Sequence, residues 1–362
     1  MRLLIVSFAP LSTQVGAGQT ALLLTAALRV RGHDAQTWAP PLPPPSLSWW
    51  YQTEWRRREL ERFLAHQELF DWVDLPPLAL DRGIARRART IARSVQPDAL
   101  YFRADWTAGT LLRGNPLRTA LGLIDQLAQL RAVRRGHLLA DRILCLGSAE
   151  RDALARHLRR KEIFAYRIAP AAEEQRTFAA IRGARTLGSP AAVRFLWIGR
   201  WAAHKGTTRL AAFLDRRLRE SPDDSCTIAG CGPEAERALP KDLLERGRIR
   251  VVPSFSRAGL FEMLADHDAG LFTSVAEGWG VTLNEMLESG MPIYATRAGG
   301  VVDLLPYFPH ALRPFPPPPG PLDLDALDDP RATGYYDRFI WDRIAESYER
   351  EVLYEHGERA AR

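Results

Sequence analysis

The feature that most constrains this chain is a rhythm of short apolar runs, each closed by a turn and most followed by a helical pattern. It appears first near the amino terminus and again from about residue 193. Residues 3–8 (LLIVSF) open the first series; a polar loop with Gly16 and Gly18 follows, then an Ala- and Leu-rich helical stretch to about Arg31, where Gly32 stops it. Residues 35–38 read as the second strand, and residues 99–102, 119–124 and 143–146 as later ones. The second series is VRFLWIG, CTIAG, RIRVV, AGLFT and PIYAT. Strands alternating with helices argue for parallel sheets covered by helices, an α/β fold. No period of 20–50 residues repeats, which excludes a solenoid.

A chain of 362 residues is long for one core and natural for two. With 46% hydrophobic and 25% charged residues it has the composition of a folded globular protein. No apolar stretch approaches the ~20 residues that cross a bilayer, and MRLLIVSFAP reads as a first strand instead of a signal peptide. Cys145, Cys226 and Cys231 form no CxxC pair, so reduced thiols in a cytoplasmic protein are expected. Residues 40–48 (PPLPPPSLS) make a Pro-rich break, and residues 314–330 (PFPPPPGPLDLDALDDP) read as a linker before a final helix.

Charge is uneven. Through residue 170 there are 25 basic against 15 acidic residues, and beyond it 24 against 28. The net of +10 on the first part suits an anionic partner: lipid phosphate, a membrane surface or a charged acceptor. No nucleic-acid module accompanies it, so nucleic acid is not an expected partner. Residues 49–72 gather Trp49, Trp50, Tyr51 and Trp55 beside Arg56, Arg57 and Arg58, with Leu60, Phe63 and Leu64 at helical spacing. Two readings stand: peripheral contact with an anionic membrane through rings and arginines, or a helix that packs those apolar residues inward.

The chemistry-bearing blocks lie in the second half. Gly199-Arg200 closes a strand, and His204-Lys205-Gly206 leads into a helix. Lys occurs at only three positions in the chain, and an ammonium at a helix entrance suits a phosphate oxygen, while Arg200 can bridge two. IAGCGP places Gly230 and Gly232 at a strand end, where backbone can approach a ligand. In SVAEGWGVTLNEMLESGMPIYAT, Glu277 and Glu285 flank a glycine turn and a helix start, with Gly278 and Gly280 in the turn and Thr282 at the helix entrance. Free first-turn amides attract an anion, and the two carboxylates can accept hydrogen bonds from vicinal hydroxyls of a ribose and a second sugar. Together they describe a nucleotide-sugar pocket.

These blocks resemble the family-four retaining glycosyltransferases of GT-B fold: G-R…K-G, G-x-G-P and E-G-x-G…E occur in order, followed by G-M-P and AGG. The resemblance implies two Rossmann-like domains facing an interdomain cleft, with a C-terminal helix crossing back to the first. The corresponding divisions are an acceptor-side domain at 1–170, a donor domain at 171–335 and the crossing helix at 336–362. The family's two glutamates map onto Glu277 and Glu285, and its phosphate-binding pair onto Arg200 and Lys205. Its sugar- and phosphate-facing backbone maps onto Gly278, Trp279, Gly280 and Val281, and its first-domain loop glycines onto Gly16 and Gly18. The activity implied is retaining, hexosyltransferase-like transfer from a nucleoside diphosphate sugar to a small molecule, a glycan or a lipid-linked glycan. The nucleotide sugar is a co-substrate, and no cofactor is expected.

The chain departs from the family at a His that members often carry after a first-domain strand. The region taken to match reads RTALGLIDQ, leaving Asp125 and, from the preceding segment, Asp105 as polar candidates near the sugar or acceptor. His33 matches a structural His. Gly16-Ala-Gly18-Gln-Thr-Ala21 mimics a dinucleotide fingerprint but stands seven residues beyond Phe8, with no acid ending the second strand, which argues against a nicotinamide enzyme. Asp266-His-Asp268 and Asp323-Leu-Asp325 have a metal-binding spacing without rigid support, and no metal is expected. Rival readings are a catalytically silent scaffold of this fold, or an epimerase or phosphorylase built on it.

Overall fold

When each strand is followed by a helical crossover, successive strands of a sheet run the same way. A computed structural model describes residues 1–12, 16–107, 116–159, 161–185, 188, 191–324 and 328–354, and contains two all-parallel sheets. The chain divides into two compact units, Met1–Ile168 with Phe339–Arg362, and Ala169–Arg338.

The first unit is built on β1 (Arg2–Val6), β2 (Asp34–Trp38), β3 (Trp72–Leu75), β4 (Arg89–Arg93), β5 (Arg142–Leu146) and β6 (Glu162–Tyr166). Their order is β2-β1-β3-β4-β5-β6. Leu4, Val6, Val73, Leu75, Ile143 and Cys145 form its core with Leu60 and Leu64 of the helix Trp49–Ala65. That helix therefore packs inward. Its Arg57 is engaged by Glu54, Glu61 and Asp81. No helix among the described residues is long and apolar enough to cross a membrane.

Two expected strands of this unit are helical. Residues 99–102 belong to the helix Asp98–Thr107, which begins right after Pro97 with an acidic first residue, a helix-start signal. Residues 119–124 belong to the helix Pro116–Leu139, whose Leu121, Ile124, Leu127, Leu130 and Val133 recur every three residues. A short apolar run does not tell strand from helix until such spacing is followed further. The strands missed, β3, β4 and β6, carry Asp74, Arg93 and Glu162, charges that disguise their period.

Two of those charges are buried together. Arg93 Nε donates to Asp74 Oδ1 at 2.6 Å and its guanidinium also reaches the Val6 carbonyl at 3.0 Å, while the Tyr348 hydroxyl donates to Asp74 Oδ2 at 2.7 Å. Burial pushes the Asp74 carboxyl up and Arg93 opposes it. Breaking such a pair strands a buried charge, at a cost of about 3–5 kcal/mol. The pair thus fastens the helix Trp341–Tyr348 within this unit.

The second unit holds β7 (Arg194–Ile198), β8 (Ser225–Ala229), β9 (Ile249–Val252), β10 (Ala269–Phe272), β11 (Ile293–Ala295) and β12 (Leu312–Pro314). Their order, β12-β11-β10-β7-β8-β9, reverses direction between β7 and β10. A doubly wound sheet opens a crevice at the carboxyl ends of the strands where the order reverses. The core joins Phe195, Trp197, Ile228 and Leu271 to Phe213 and Leu214 of the helix Thr207–Glu220. The Pro-rich segment expected to be a linker is part of this unit: Leu322 and Leu324 are in its core, Phe315 packs on it, and Arg217 donates to the Gly320 carbonyl at 2.7 Å. Prolines prevent a ladder without preventing apolar side chains from packing.

Candidate functional site

At the reversal, β7 and β10 are neighbours, and the loops leaving their carboxyl ends are tied together. The Thr273 hydroxyl accepts from Trp197 Nε1 at 3.0 Å and donates to the Lys205 carbonyl at 2.8 Å. The amides of Val275 and Ala276 donate to the His204 carbonyl at 2.7 and 3.1 Å. Gly206 makes this approach feasible: at φ +71° a Cβ there would lie 1.9 Å from the Thr273 carbonyl oxygen, so a side chain is excluded. His204 is buried, and desolvation, with Lys205 adding to it, drives its imidazole down to about 4, so it is neutral near pH 7.

This clamp presents Lys205 to Glu277. The ammonium contacts Glu277 Oε2, which also accepts from the Ser274 hydroxyl at 3.1 Å. Two residues assigned separately from the sequence are therefore one ion pair. Arg200 is exposed immediately after β7 and Gly199, whose amide donates to the Ala229 carbonyl at 2.9 Å. Gly230 and Gly232 lie beside β9's exit, donating to the carbonyls of Val252 and Pro253 at 2.8 and 3.1 Å. The ring of Phe255 lies against Gly230, a neighbour the sequence reading did not single out.

Gly278, Trp279 and Gly280 lead into the helix Val281–Glu288, whose first-turn amides, Val281 and Thr282 among them, have no intrahelical carbonyl to bond. The Trp279 side chain does not face a ligand. It is 1% exposed, and its indole donates to Asn284 Oδ1 at 2.5 Å. Asn284 in turn donates to the Tyr335 hydroxyl at 2.7 Å, which donates to Glu288 Oε1 at 2.8 Å. Burial pushes Glu288 up to about 7. This buried network holds the turn to its helix. Asn284 and Glu288 were readable only as helix interior, and Tyr335 lies beyond the Pro-rich segment with no local signal.

Glu285, 3% exposed, is bound by Arg257, whose other contacts are to both oxygens of Glu174 at 2.5 and 2.6 Å. Burial raises the Glu285 carboxyl and Arg257 pulls it back, favouring the ionised form that accepts hydrogen bonds. Arg257 opens the helix Arg257–Asp266, and sequence reasoning passed over it as one of many arginines.

The remaining candidates are placed elsewhere. Gly16 starts the helix Gly16–Val30. Gly18 has a packing reason, since a Cβ there would sit 2.0 Å from the Pro10 carbonyl oxygen. Asp125 is half-buried inside the helix Pro116–Leu139, not at a strand end as the sequence suggested, and Asp105 is on the helix Asp98–Thr107 with its side chain outside the described residues. The strand ahead of these helices is β4, followed by Ser94, Val95 and Gln96, again without a His. Asp268 is paired with Arg194 at 2.8 Å and His267 is fixed by Met263 and Thr227, which gives that acidic pair a structural account. Asp325 lies outside the described residues. No group of three metal-ligating side chains occurs among the described residues. Cys145, Cys226 and Cys231 are buried free thiols, and His33 is buried with Glu349 3.4 Å away.

Residues 192–307 match the family model described as glycosyl transferases group 1. A search of curated proteins finds no match. Among solved structures the chain is similar to sucrose-phosphate synthase from Thermosynechococcus elongatus, with 15% identity, TM-score 0.63, and 95% of this chain and 92% of that one covered. It is also similar to WaaG, a glycosyltransferase involved in lipopolysaccharide biosynthesis, at 16% identity and TM-score 0.60 over 99% and 98% of the two chains. Anabaena HepE, in complex with UDP and glucose, aligns at 14% identity and TM-score 0.54 over 97% and 95%. The matched region covers Arg200, Lys205, Glu277 and Glu285, and the chain as a whole has the GT-B fold of these solved structures.

Proposed function

We propose that this protein transfers a glycosyl unit from a nucleoside diphosphate sugar to an acceptor hydroxyl, with retention of anomeric configuration. One observation carries the reading. The Lys205–Glu277 pair, the first-turn amides of the helix Val281–Glu288 and the arginine-held Glu285 belong to the crevice between β7 and β10 and the helix that follows β10. In this reading the diphosphate takes the ammonium of Lys205 and the amides of Val281 and Thr282, with Arg200 as a second cation. Glu285 accepts from the ribose hydroxyls and Glu277 from those of the transferred sugar. The departing diphosphate carries more charge in the transition state than in the bound donor, so preorganised donors there lower the barrier, each worth about 3 kcal/mol.

The HepE structure contains UDP and glucose, and a starch synthase of Arabidopsis thaliana with a similar fold is bound to ADP and acarbose, which supports this kind of donor. Two cations and a helix terminus supply the positive charge that a metal would otherwise bring, so the proposal includes no metal and no cofactor beyond the co-substrate. Activity is expected to persist in excess EDTA; loss restored by Mg²⁺ or Mn²⁺ would refute that part. Thermal shift with UDP, GDP, ADP and dTDP identifies the base. Product analysis with the matching sugar nucleotide then tests the reaction: glycoside plus free nucleoside diphosphate supports transfer, and an isomerised donor or no turnover opposes it.

A further inference from the structure

The first unit contains a cavity of about 560 Å³ at the carboxyl ends of β4 and β5. Its walls come from three helices, Asp98–Thr107, Pro116–Leu139 and Ser148–His157. The volume falls in the range of small-molecule sites, roughly 300–1,000 Å³. Leu130, Val133 and Leu154 make the lining mainly apolar. None of the residues assigned to the sugar nucleotide line it, and the inference does not depend on the sugar-transfer reading.

Three buried polar groups face this chamber. His137 is 5% exposed, and its Nε2 has no hydrogen-bond partner among the described residues. Desolvation drives that imidazole down to about 4, so it is neutral near pH 7. Asp98 accepts from Gln96 and Gln129 at 2.9 and 2.6 Å, and both bonds fall on Oδ1. Glu150 accepts from the Ser94 hydroxyl at 2.6 Å and from the Leu146 amide at 3.1 Å. Burial, with the charge of Asp98 adding to it, pushes Glu150 up to about 7. Arg134 and His157 also border the cavity, but both are exposed at the surface. Two acids and a neutral imidazole are thus buried around one largely apolar space, and among the described residues that line it no cation is buried.

We propose that this cavity binds a small aliphatic ammonium ligand, with its ammonium donating to Asp98, Glu150 and His137 Nε2 and its hydrocarbon against Leu130, Val133 and Leu154. A primary ammonium carries three donors and no acceptor, which matches three acceptors. Its charge offsets the repulsion between the carboxylates. An alcohol of the same length offers one donor and no charge, and a carboxylate adds a third negative group.

The test is calorimetric titration of the full chain with n-hexylamine, n-hexanol and n-hexanoate. Hexylamine is expected to bind at least tenfold more tightly than hexanol, with no binding of hexanoate. Glu150→Gln should weaken hexylamine at least tenfold while changing hexanol little, and Ala153→Phe, which fills the chamber, should abolish both. A wild-type circular dichroism spectrum and a cooperative thermal melt in each variant show that it is folded. Should a variant not fold, the three-ligand ranking on the wild-type chain still decides. Hexanol or hexanoate binding as tightly as hexylamine, hexylamine binding that survives Ala153→Phe in a folded variant, or no binding of any of the three overturns the proposal.

Discussion

Glu150 in the first unit and Glu288 in the second are both buried, and burial pushes both up to about 7, yet they sit in different surroundings. Glu288 ends a chain of hydrogen bonds through Tyr335 and Asn284 to Trp279, every link of it side chain to side chain. Glu150 is held by a hydroxyl and an amide on one side and borders an open chamber on the other. The same desolvation cost supports rigidity in one unit, where the turn ahead of the helix Val281–Glu288 must be fixed, and leaves a ligand-sized space in the other. A buried acid is informative through what completes its shell, more than through its burial.

The largest expected effect separates the units by function. Lys205→Met should lower turnover by about 100-fold or more, because the ammonium acts on leaving-group charge, while acceptor KM changes little. His137→Leu should leave turnover with the same donor unchanged. Steady-state kinetics of both variants checks this, and an equal loss from the two would erase the distinction.

Next is the pH dependence of stability. Glu150 and Glu288 each bind a proton more tightly folded, at about 7, than their ordinary value of 4.5. Between those values each of the two acids carries more protons folded than unfolded, so its own contribution to stability falls as pH rises through the window, by on the order of 3 kcal/mol. Glu150→Gln and Glu288→Gln should each remove the contribution of the replaced acid, so that the variant gains stability relative to wild type as pH rises, measured by urea denaturation at pH 5, 6, 7 and 8. His137 and His204, held at about 4, contribute the opposite slope below their ordinary 6.5. The readout is therefore each variant's difference from wild type, and a difference that does not change between pH 5 and 8 would contradict the burial of that acid.

Smaller effects follow inside the second unit. Arg257→Met removes the cation that offsets part of the burial of Glu285, and should weaken nucleoside diphosphate binding by about 1–2 kcal/mol, with partial recovery as pH rises. Tyr335→Phe leaves Glu288 and Asn284 short of a partner and should cost about 1–3 kcal/mol of stability. If the network positions the turn, that variant also loses nucleotide affinity; unchanged affinity would reduce the network to a purely stabilising role.

How far residues could be read in advance differs between the units for a physical reason. In the second, β7, β8, β10 and β11 are compact apolar runs ended by glycine or small polar residues, as strands buried on both faces should be. The blocks of candidate residues stand at their ends, so Lys205, Glu277 and Glu285 could be singled out. In the first, β3 and β4 carry Asp74 and Arg93, which only tertiary pairing makes acceptable in a core, and two apolar helix segments imitated strands. Asp125 was misplaced for that reason. Arg257, Asn284 and Tyr335 were invisible because their meaning lies in partners remote in sequence. Asp98, His137 and Glu150 come together from separate helices to form a chamber that no spacing announces.

The central claim is that the crevice between β7 and β10 holds a nucleoside diphosphate with Glu285 on its ribose. Its most direct test is calorimetric titration of UDP, GDP, ADP and dTDP into wild type and Glu285→Ala. The account predicts that one of the four binds wild type and binds the variant at least about tenfold more weakly, a loss of about 1.5–3 kcal/mol. Equal affinity for the two proteins, or no binding of any of the four to wild type, would contradict it.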